Sequence, residues 1–265
     1  MSRIQNTFKR LKGEGRKALV PFITAGDPHP SSTVPLMHAL VEGGADILEI
    51  GVPFSDPMSD GQVIQRASER ALRHGTSLRD ILSMVEEFRK KDDSTPVVLM
   101  GYANPFEAMG YSSFSAQAKR VGVDGVLTVD CPPEEAEEML ESFAREEISP
   151  IFLLSPTTTE ERIAKVAKYA SGYVYYVSLK GVTGATHLDF GDVGNRVAKI
   201  REQIDLPVCI GFGIRDGKTA KAAAMIADGV VIGSRIVQEI EQSEAQSAAE
   251  KVALFLRSIR TAIDA

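Results

Sequence analysis

Eight short apolar runs rich in Val, Ile and Leu recur along the chain, beginning near Ala18, Ile47, Val97, Val126, Pro150, Val174, Val208 and Val230. Each is too short for a helix and ends in Gly, Pro, Ser, Thr or Asp, as strands buried on both faces of a parallel sheet do. The segments between them carry apolar residues on one side only: Val34, Leu36, Met37, Leu40 and Val41; then Ile81, Leu82, Val85 and Phe88; then Met139, Leu140 and Phe143 after an acidic first turn, Glu134 to Glu138. Such stripes predict amphipathic helices. The gap between the second and third runs is long enough for two helices, about Val63 to Arg73 and Leu78 to Lys90, separated at His74-Gly75. One helix is therefore expected as an insertion after strand two. Further helices, one through Ile4, Phe8 and Leu11 and one from Ala248 to Ile263, flank the repeat.

Strict alternation of strand and helix predicts a parallel sheet with right-handed crossovers. Eight units favour closure into a (β/α)8 TIM barrel of the α/β class, with a doubly wound open sheet as the alternative. The length, 265 residues with 43% hydrophobic content, matches the roughly 250 residues of one such barrel. No Pro/Ser-rich linker or low-complexity tract interrupts it, so residues 1–265 are read as one domain.

Charge narrows the partners. The 36 acidic and 30 basic residues give a net charge of -6 and are mixed along the chain, which argues against a nucleic-acid or anionic-membrane surface. Cys131 and Cys209 lie far apart, so neither a disulfide framework nor a thiolate metal site is expected. The first twenty residues carry six Lys or Arg without an apolar segment, unlike a secretory signal, and no apolar run approaches the ~18 residues of a membrane span. A cytoplasmic enzyme is the expectation. The four histidines, His29, His38, His74 and His187, are scattered and suggest no metal site.

In a closed barrel the chemistry lies just after each strand. The second run places one charged side chain, Glu49, among Ile47, Leu48 and Ile50. By period-two alternation Ile47 and Glu49 share a face; if Leu48 and Ile50 pack on the helices, Glu49 points into the barrel mouth. Desolvation there would raise its pKa toward neutrality, as proton transfer requires; a structural ion pair with Lys or Arg is the alternative. The following loop holds Asp56 and Asp60 before a helix starting near Gln62. Asp60 could act beside Glu49 or cap that helix, and Asp56 could be a turn residue ahead of Pro57.

Two glycine-rich strand ends, Cys209-Ile-Gly-Phe-Gly-Ile-Arg215 and Val231-Ile-Gly-Ser-Arg235, describe a phosphate cup of backbone N–H groups and a helix N-terminus, or else tight turns without a ligand. The long segment Ser178 to Gly191 reads as a lid bringing donors from Thr183 and Gly184, or as a plain connector. Its Lys180 is a candidate for a Schiff base, or a solvated lysine.

Together Pro21-Phe-Ile-Thr-Ala-Gly-Asp-Pro28, Leu48-Glu-Ile-Gly-Val-Pro-Phe-Ser-Asp-Pro57 with Asp60-Gly61, Gly181-Val-Thr-Gly184 and Gly211-Phe-Gly-Ile214 resemble the tryptophan synthase alpha subunit family, and the resemblance runs from end to end. It implies a lyase of L-tryptophan biosynthesis that cleaves indole-3-glycerol phosphate into indole and glyceraldehyde 3-phosphate by an acid-base retro-aldol reaction. Glu49 would move the protons, Asp60 would stabilise charge at the indole N–H, and Tyr175 would lie beside Glu49. Phe22, Met100, Leu127, Phe212 and Val231 would form the indole slot, with Ile64 and Thr183 at its edges; Met100 stands where Leu is usual in the family, a swap close in volume. Gly184, Gly211, Gly213, Gly233 and Ser234 would surround the phosphate. The resemblance implies no cofactor in this chain. It implies instead a pyridoxal-phosphate beta subunit in an alpha2-beta2 heterotetramer, met through Pro53, Asp56, Asn104, Asp130 and Pro132 on the loops after strands two, three and four. Two rivals remain: a Schiff-base aldolase acting through Lys180, and a ligand-binding subunit without catalysis.

Overall fold

The computed structural model describes residues 1–177, 190–211, 213–244 and 247–265. Eight strands run parallel: β1 (Ala18–Thr24), β2 (Leu48–Gly51), β3 (Val97–Gly101), β4 (Gly125–Thr128), β5 (Ser149–Leu154), β6 (Val174–Val177), β7 (Val208–Gly211) and β8 (Gly229–Ile232). Each pairs with its sequence neighbours, and β8 pairs back onto β1 with Val20 opposite Val231, so the sheet is a closed barrel. The open-sheet alternative is excluded.

Around it lie α1 (Arg3–Gly13), α2 (Thr33–Glu42), α3 (Gln62–Arg73), α4 (Leu78–Arg89), α5 (Ala103–Met109), α6 (Tyr111–Val121), α7 (Glu137–Arg145), α8 (Glu160–Tyr169), α9 (Phe190–Arg201), α10 (Gly217–Ile226), α11 (Ser234–Glu241) and α12 (Ala248–Asp264). α3 and α4 are the two helices predicted between the second and third strands, one of them an insertion into the repeat, and α1 is the predicted N-terminal helix. The helix expected to open after Val231-Ile-Gly-Ser-Arg235 is α11, separate from the C-terminal α12, whereas the short α5 after β3 is not foreshadowed by the apolar pattern. The acidic stretch before Met139 also divides: α7 begins only at Glu137, and Glu134 pairs with Lys165 at 3.2 Å instead of sitting in the first turn.

Alternation along the strands sorts the core into two layers. Ala18, Val20, Ile47, Val98, Leu127, Ile151, Tyr173, Tyr175, Cys209 and Val231 fill the barrel, and Ile4, Phe8 and Leu11 of α1 plug its lower end. Leu48, Ile50, Val97, Leu99, Val126, Val230 and Ile232 face the helices. A repeated device secures the strand starts. Asp46, Asp124 and Asp228 each accept the N–H of the first or second residue of the preceding odd strand: Leu19 at 3.0 Å, Val97 at 2.9 Å and Val208 at 2.9 Å. Each also holds an arginine, Arg260 at 3.0 Å, Arg89 at 2.8 Å and Arg201 at 2.9 Å respectively. With the lower end packed and pinned in this way, the opposite mouth is where loops are free to build a site.

Candidate active site

β2 presents Leu48 and Ile50 to the helices and Glu49 to the barrel, beside Phe22 of β1 and Val98 of β3. The Glu49 side chain is buried, and among the described residues no Lys or Arg pairs with it and Oε1 has no hydrogen-bond partner. Among the described residues the ion-pair alternative finds no partner. Burial raises its pKa to about 8, with the Tyr173 hydroxyl a smaller opposing influence. That hydroxyl is itself buried without a hydrogen bond of ordinary geometry. Tyr175 of β6, two residues further on and also in the barrel interior, is buried too; burial first and Glu49 second raise its pKa well above the ordinary tyrosine value. A buried carboxyl without a cation is protonated near neutrality, the state a proton donor needs.

Asp60 sits where the β2 loop enters α3. It does not cap the helix, because the N-cap is Gly61 and no side chain bonds there. Its Oδ2 accepts instead from the Tyr102 hydroxyl at 3.2 Å, and the Tyr102 oxygen in turn accepts the Ser59 N–H at 3.0 Å. Tyr102 stacks on Phe54, with ring centroids 5.0 Å apart. Burial raises the Asp60 pKa to about 6, partly offset by the Tyr102 hydrogen bond, while burial and then the Asp60 charge push Tyr102 up to about 12.

Beside Asp60 lies a mainly apolar slot lined by Phe22, Gly51, Val52, Ile64, Met100 and Val129, with Thr24, Ser68, Tyr102 and Asp60 as polar groups; Phe22, which it includes, is in register with Glu49. Phe22, Ile64 and Met100 were expected in it. Leu127 and Val231 lie in the barrel interior with Tyr175, in register with Met100 and Gly211 respectively. Thr183, Gly184, Phe212, Lys180 and nearly all of the expected lid, residues 178–189, lie outside the described residues.

The glycine-bearing ends of β7 and β8 adjoin the slot. Gly213 has φ 74°, a left-handed conformation that disfavours any side chain, and Gly233 caps α11 ahead of Ser234 without a side-chain bond. A Cβ on Gly233 would stand 3.4 Å from Phe22, so the cup and the slot share a wall. Arg235 pairs with Glu239 and lies over the Phe255 ring at 5.4 Å from its centroid. Among the described residues, backbone N–H groups at the α11 N-terminus and the Ser234 hydroxyl are placed to receive an anion here.

Of the expected partner surface, Asp56, Asn104 and Asp130 are exposed, Pro132 is half-buried and Pro53 is buried. Asn104 lies in α5 rather than in a loop, and the Asp130 carboxylate accepts the first N–H of that helix, Ala103, at 2.7 Å. Two residues with clear roles, Tyr173 and Tyr102, were missed. Period-two alternation could have found Tyr173, whereas Tyr102 meets Asp60 across 42 residues of sequence.

A parallel barrel whose mouth combines a protonated, unpaired glutamate, an apolar slot ending in a second carboxylate and a glycine cup is that of a barrel enzyme working by proton transfer on a phosphorylated, ring-bearing substrate. The family model for the tryptophan synthase alpha chain matches residues 8–264, and the chain belongs to that family. The alpha chain of Janthinobacterium sp. (strain Marseille) is 60% identical over 264 residues, covering 100% of both chains. That of Nitrosospira multiformis is 60% identical over 265 residues, covering 100% of this chain and 95% of its own. The crystal structure of tryptophan synthase subunit alpha from Legionella pneumophila str. Paris superposes with a TM-score of 0.94 at 45% identity, covering 100% and 99% of the two chains. A tryptophan synthase chain from M. tuberculosis in the aminoacrylate-bound form gives 0.89 at 31% identity, covering 99% and 100%. The protein is a lyase that cleaves indole-3-glycerol phosphate in tryptophan biosynthesis, and the alpha chain is a subunit of the tryptophan synthase complex. Among the described residues no helix is long and apolar enough to cross a membrane.

Proposed function

We propose that Glu49 is the proton donor and acceptor of the cleavage and Asp60 its electrostatic partner. The observation that carries this is the Glu49 carboxyl, buried and, among the described residues, without a cation and with Oε1 unpartnered. Protonated Glu49 gives its proton to C3 of the indole ring, and Asp60 as carboxylate stabilises the positive charge that develops at the ring N–H. The glyceryl hydroxyl next to C3 then returns a proton to Glu49. The carbon–carbon bond breaks, its electron pair restores the aromatic ring, and the hydroxyl carbon leaves as the aldehyde. Net proton transfer is zero, so one carboxyl suffices. Tyr175 flanks Glu49; Phe22, Ile64 and Met100, with Leu127, Val231, Phe212 and Thr183, hold the indole; Gly213, Gly233 and Ser234, with Gly211 and Gly184, hold the phosphate.

The alpha chain family carries no cofactor of its own; pyridoxal phosphate belongs to a beta subunit that receives the indole in an alpha2-beta2 assembly. Asp56, Asn104, Asp130 and Pro132 open on the mouth and suit that partner, and Pro53 supports the loop from beneath. We place the enzyme in the cytoplasm and read residues 1–265 as one domain, since α1 and α12 both pack on the barrel. The test is indole release from indole-3-glycerol phosphate, with and without a beta subunit. Glu49→Gln should abolish release while a phosphate ligand still binds, Asp60→Asn should be severely impaired, and Lys180→Ala should turn over. Full activity of Glu49→Gln would sink the mechanism, and a borohydride-trapped adduct on Lys180 would replace it with Schiff-base chemistry.

A further inference from the structure

Two helices carry the two ends of the site. α3 begins two residues after Asp60 and brings Ile64 to the slot, and α11 begins at Ser234 in the phosphate cup. Their apolar contact is small: Ala67 of α3 and Val237 of α11 meet around Phe22. Outside that contact four charges alternate in sign. Arg66 grips Glu241, the last residue of α11, through two bonds of 2.8 Å. Arg70 grips Asp27 through two bonds of 2.6 and 2.9 Å and gives its remaining Nη1 to Glu241 at 2.6 Å. Asp27 is buried in the loop that follows β1, the strand of Phe22. Arg70 thus joins three segments that meet the substrate: the β1 end, α3 and α11.

An Arg–carboxylate fork is directional, and a guanidinium that uses its edge on one carboxylate and its last nitrogen on another fixes both angle and distance; a lysine ammonium does neither. Arg66 foremost, with Arg70, holds Glu241 down to about 2, whereas burial raises Asp27 in spite of its fork with Arg70. We infer that Arg70 is a positioning residue, setting the separation between the slot on α3 and the phosphate cup on α11 and so selecting substrates whose ring and phosphate lie the right distance apart. This rests on the assignment of slot and cup under Proposed function. Arg70 touches no substrate; it acts through Asp27 and Glu241.

A ligand that spans both ends should feel this spacing, and a ligand that fills one end should not. Two non-cleavable probes separate the cases on the purified full chain, sn-glycerol 3-phosphate for the cup alone and 3-(indol-3-yl)propyl phosphate for both ends, with Kd measured by calorimetry. Arg70→Met is expected to weaken the spanning probe about tenfold, leave glycerol phosphate within about twofold, and lower kcat/KM at least as much as it weakens the spanning probe. Arg70→Lys should recover only part of the loss, and adding Glu241→Gln to Arg70→Met should weaken the spanning probe further, because it also cuts the Arg66 fork that still ties α3 to α11. If Arg70→Met does not fold, Arg70→Lys and Glu241→Gln carry the same comparison. Equal loss on both probes would reveal a merely structural ion pair and overturn the inference, as would unchanged binding of the spanning probe. Wild-type protein that binds the spanning probe no better than glycerol phosphate would instead overturn the slot-and-cup assignment itself.

Discussion

The ring of Tyr175 lies directly on the bare backbone of Gly211: a Cβ built there would fall 2.0 Å from the tyrosine hydroxyl and 2.6 Å from two ring atoms. β6 and β7 pair Tyr175 with Cys209 and Val177 with Gly211, so the ring reaches across to the next strand, and only glycine leaves it room. Gly211→Ala must therefore displace the Tyr175 ring or spread the strands. Overpacking of this kind costs about 1–3 kcal/mol. We expect a measurable fall in melting temperature and at least a tenfold loss of kcat. Wild-type kcat in this variant would show that the position of Tyr175 is irrelevant to the reaction.

The two carboxylates predict a bell-shaped pH profile. Glu49 acts first as an acid, and its folded pKa of about 8 makes kcat/KM fall as pH rises past that value. Asp60 must be ionised, and its pKa of about 6 makes kcat/KM fall below it. The optimum of the free enzyme should lie between about 6 and 8. Initial rates of indole release at low substrate concentration across pH 5–10 check this, and a flat profile through pH 9 would contradict the donor role of Glu49.

Glu49→Gln should remove activity and add stability. Because the folded pKa is raised above 4.5, the native state binds more protons than the unfolded chain between pH 4.5 and 8. Wild-type stability therefore has its full value from this group below 4.5 and loses it as pH rises toward 8. Glutamine, of the same shape and never charged, escapes that loss. Turnover should drop by about 10³-fold or more, while unfolding free energy at pH 9 should exceed wild type by about 2–4 kcal/mol, with a gap that shrinks toward pH 5. Denaturant melts at the two pH values decide it; a gap independent of pH would place the effect elsewhere.

The same exchange at the barrel's lower end should have the opposite sign. Asp124 accepts the Val97 N–H and holds Arg89 at 2.8 Å and Arg3 at 3.0 Å, and the Arg89 side chain is only 10% exposed. Asparagine can keep the backbone bond but leaves a buried guanidinium without its counter-charge, a change that costs about 3–5 kcal/mol in comparable pairs. Asp124→Asn should melt well below wild type at pH 7 while its kcat at 25 °C stays near normal. A variant as stable as wild type would show the ion pair to be dispensable.

How much of this was legible in the sequence follows from how local each cause is. The inward direction of Glu49 depends only on its strand neighbours Leu48 and Ile50, so alternation sufficed. Tyr173 obeys the same alternation but reads as an ordinary core aromatic until its hydroxyl is seen facing Glu49. α5 escaped notice because its first N–H is satisfied by Asp130, 27 residues away, and not by a local capping residue. Arg70 meets Asp27 and Glu241 across 43 and 171 residues, and no window of sequence contains the three. The Asp60 cap was a fair reading of Asp before a helix; Gly61 takes the cap position because the carboxylate is drawn to Tyr102.

That attraction gives a last prediction. Tyr102 holds the Asp60 loop from both sides, donating to Oδ2 and accepting from the Ser59 N–H. Tyr102→Phe removes the influence that, among the described residues, opposes burial in setting the Asp60 pKa, so the carboxyl should titrate above 6. The acidic limb of the pH profile should then move up, by roughly 0.5–1 unit, and the alkaline limb, set by Glu49, should stay in place. The loop also loses an anchor, so KM should rise severalfold even at the pH optimum, where Asp60 is mostly ionised. The two effects are separable: raising pH corrects the first and leaves the second. A profile identical to wild type would mean that Asp60 is held and tuned by something other than Tyr102.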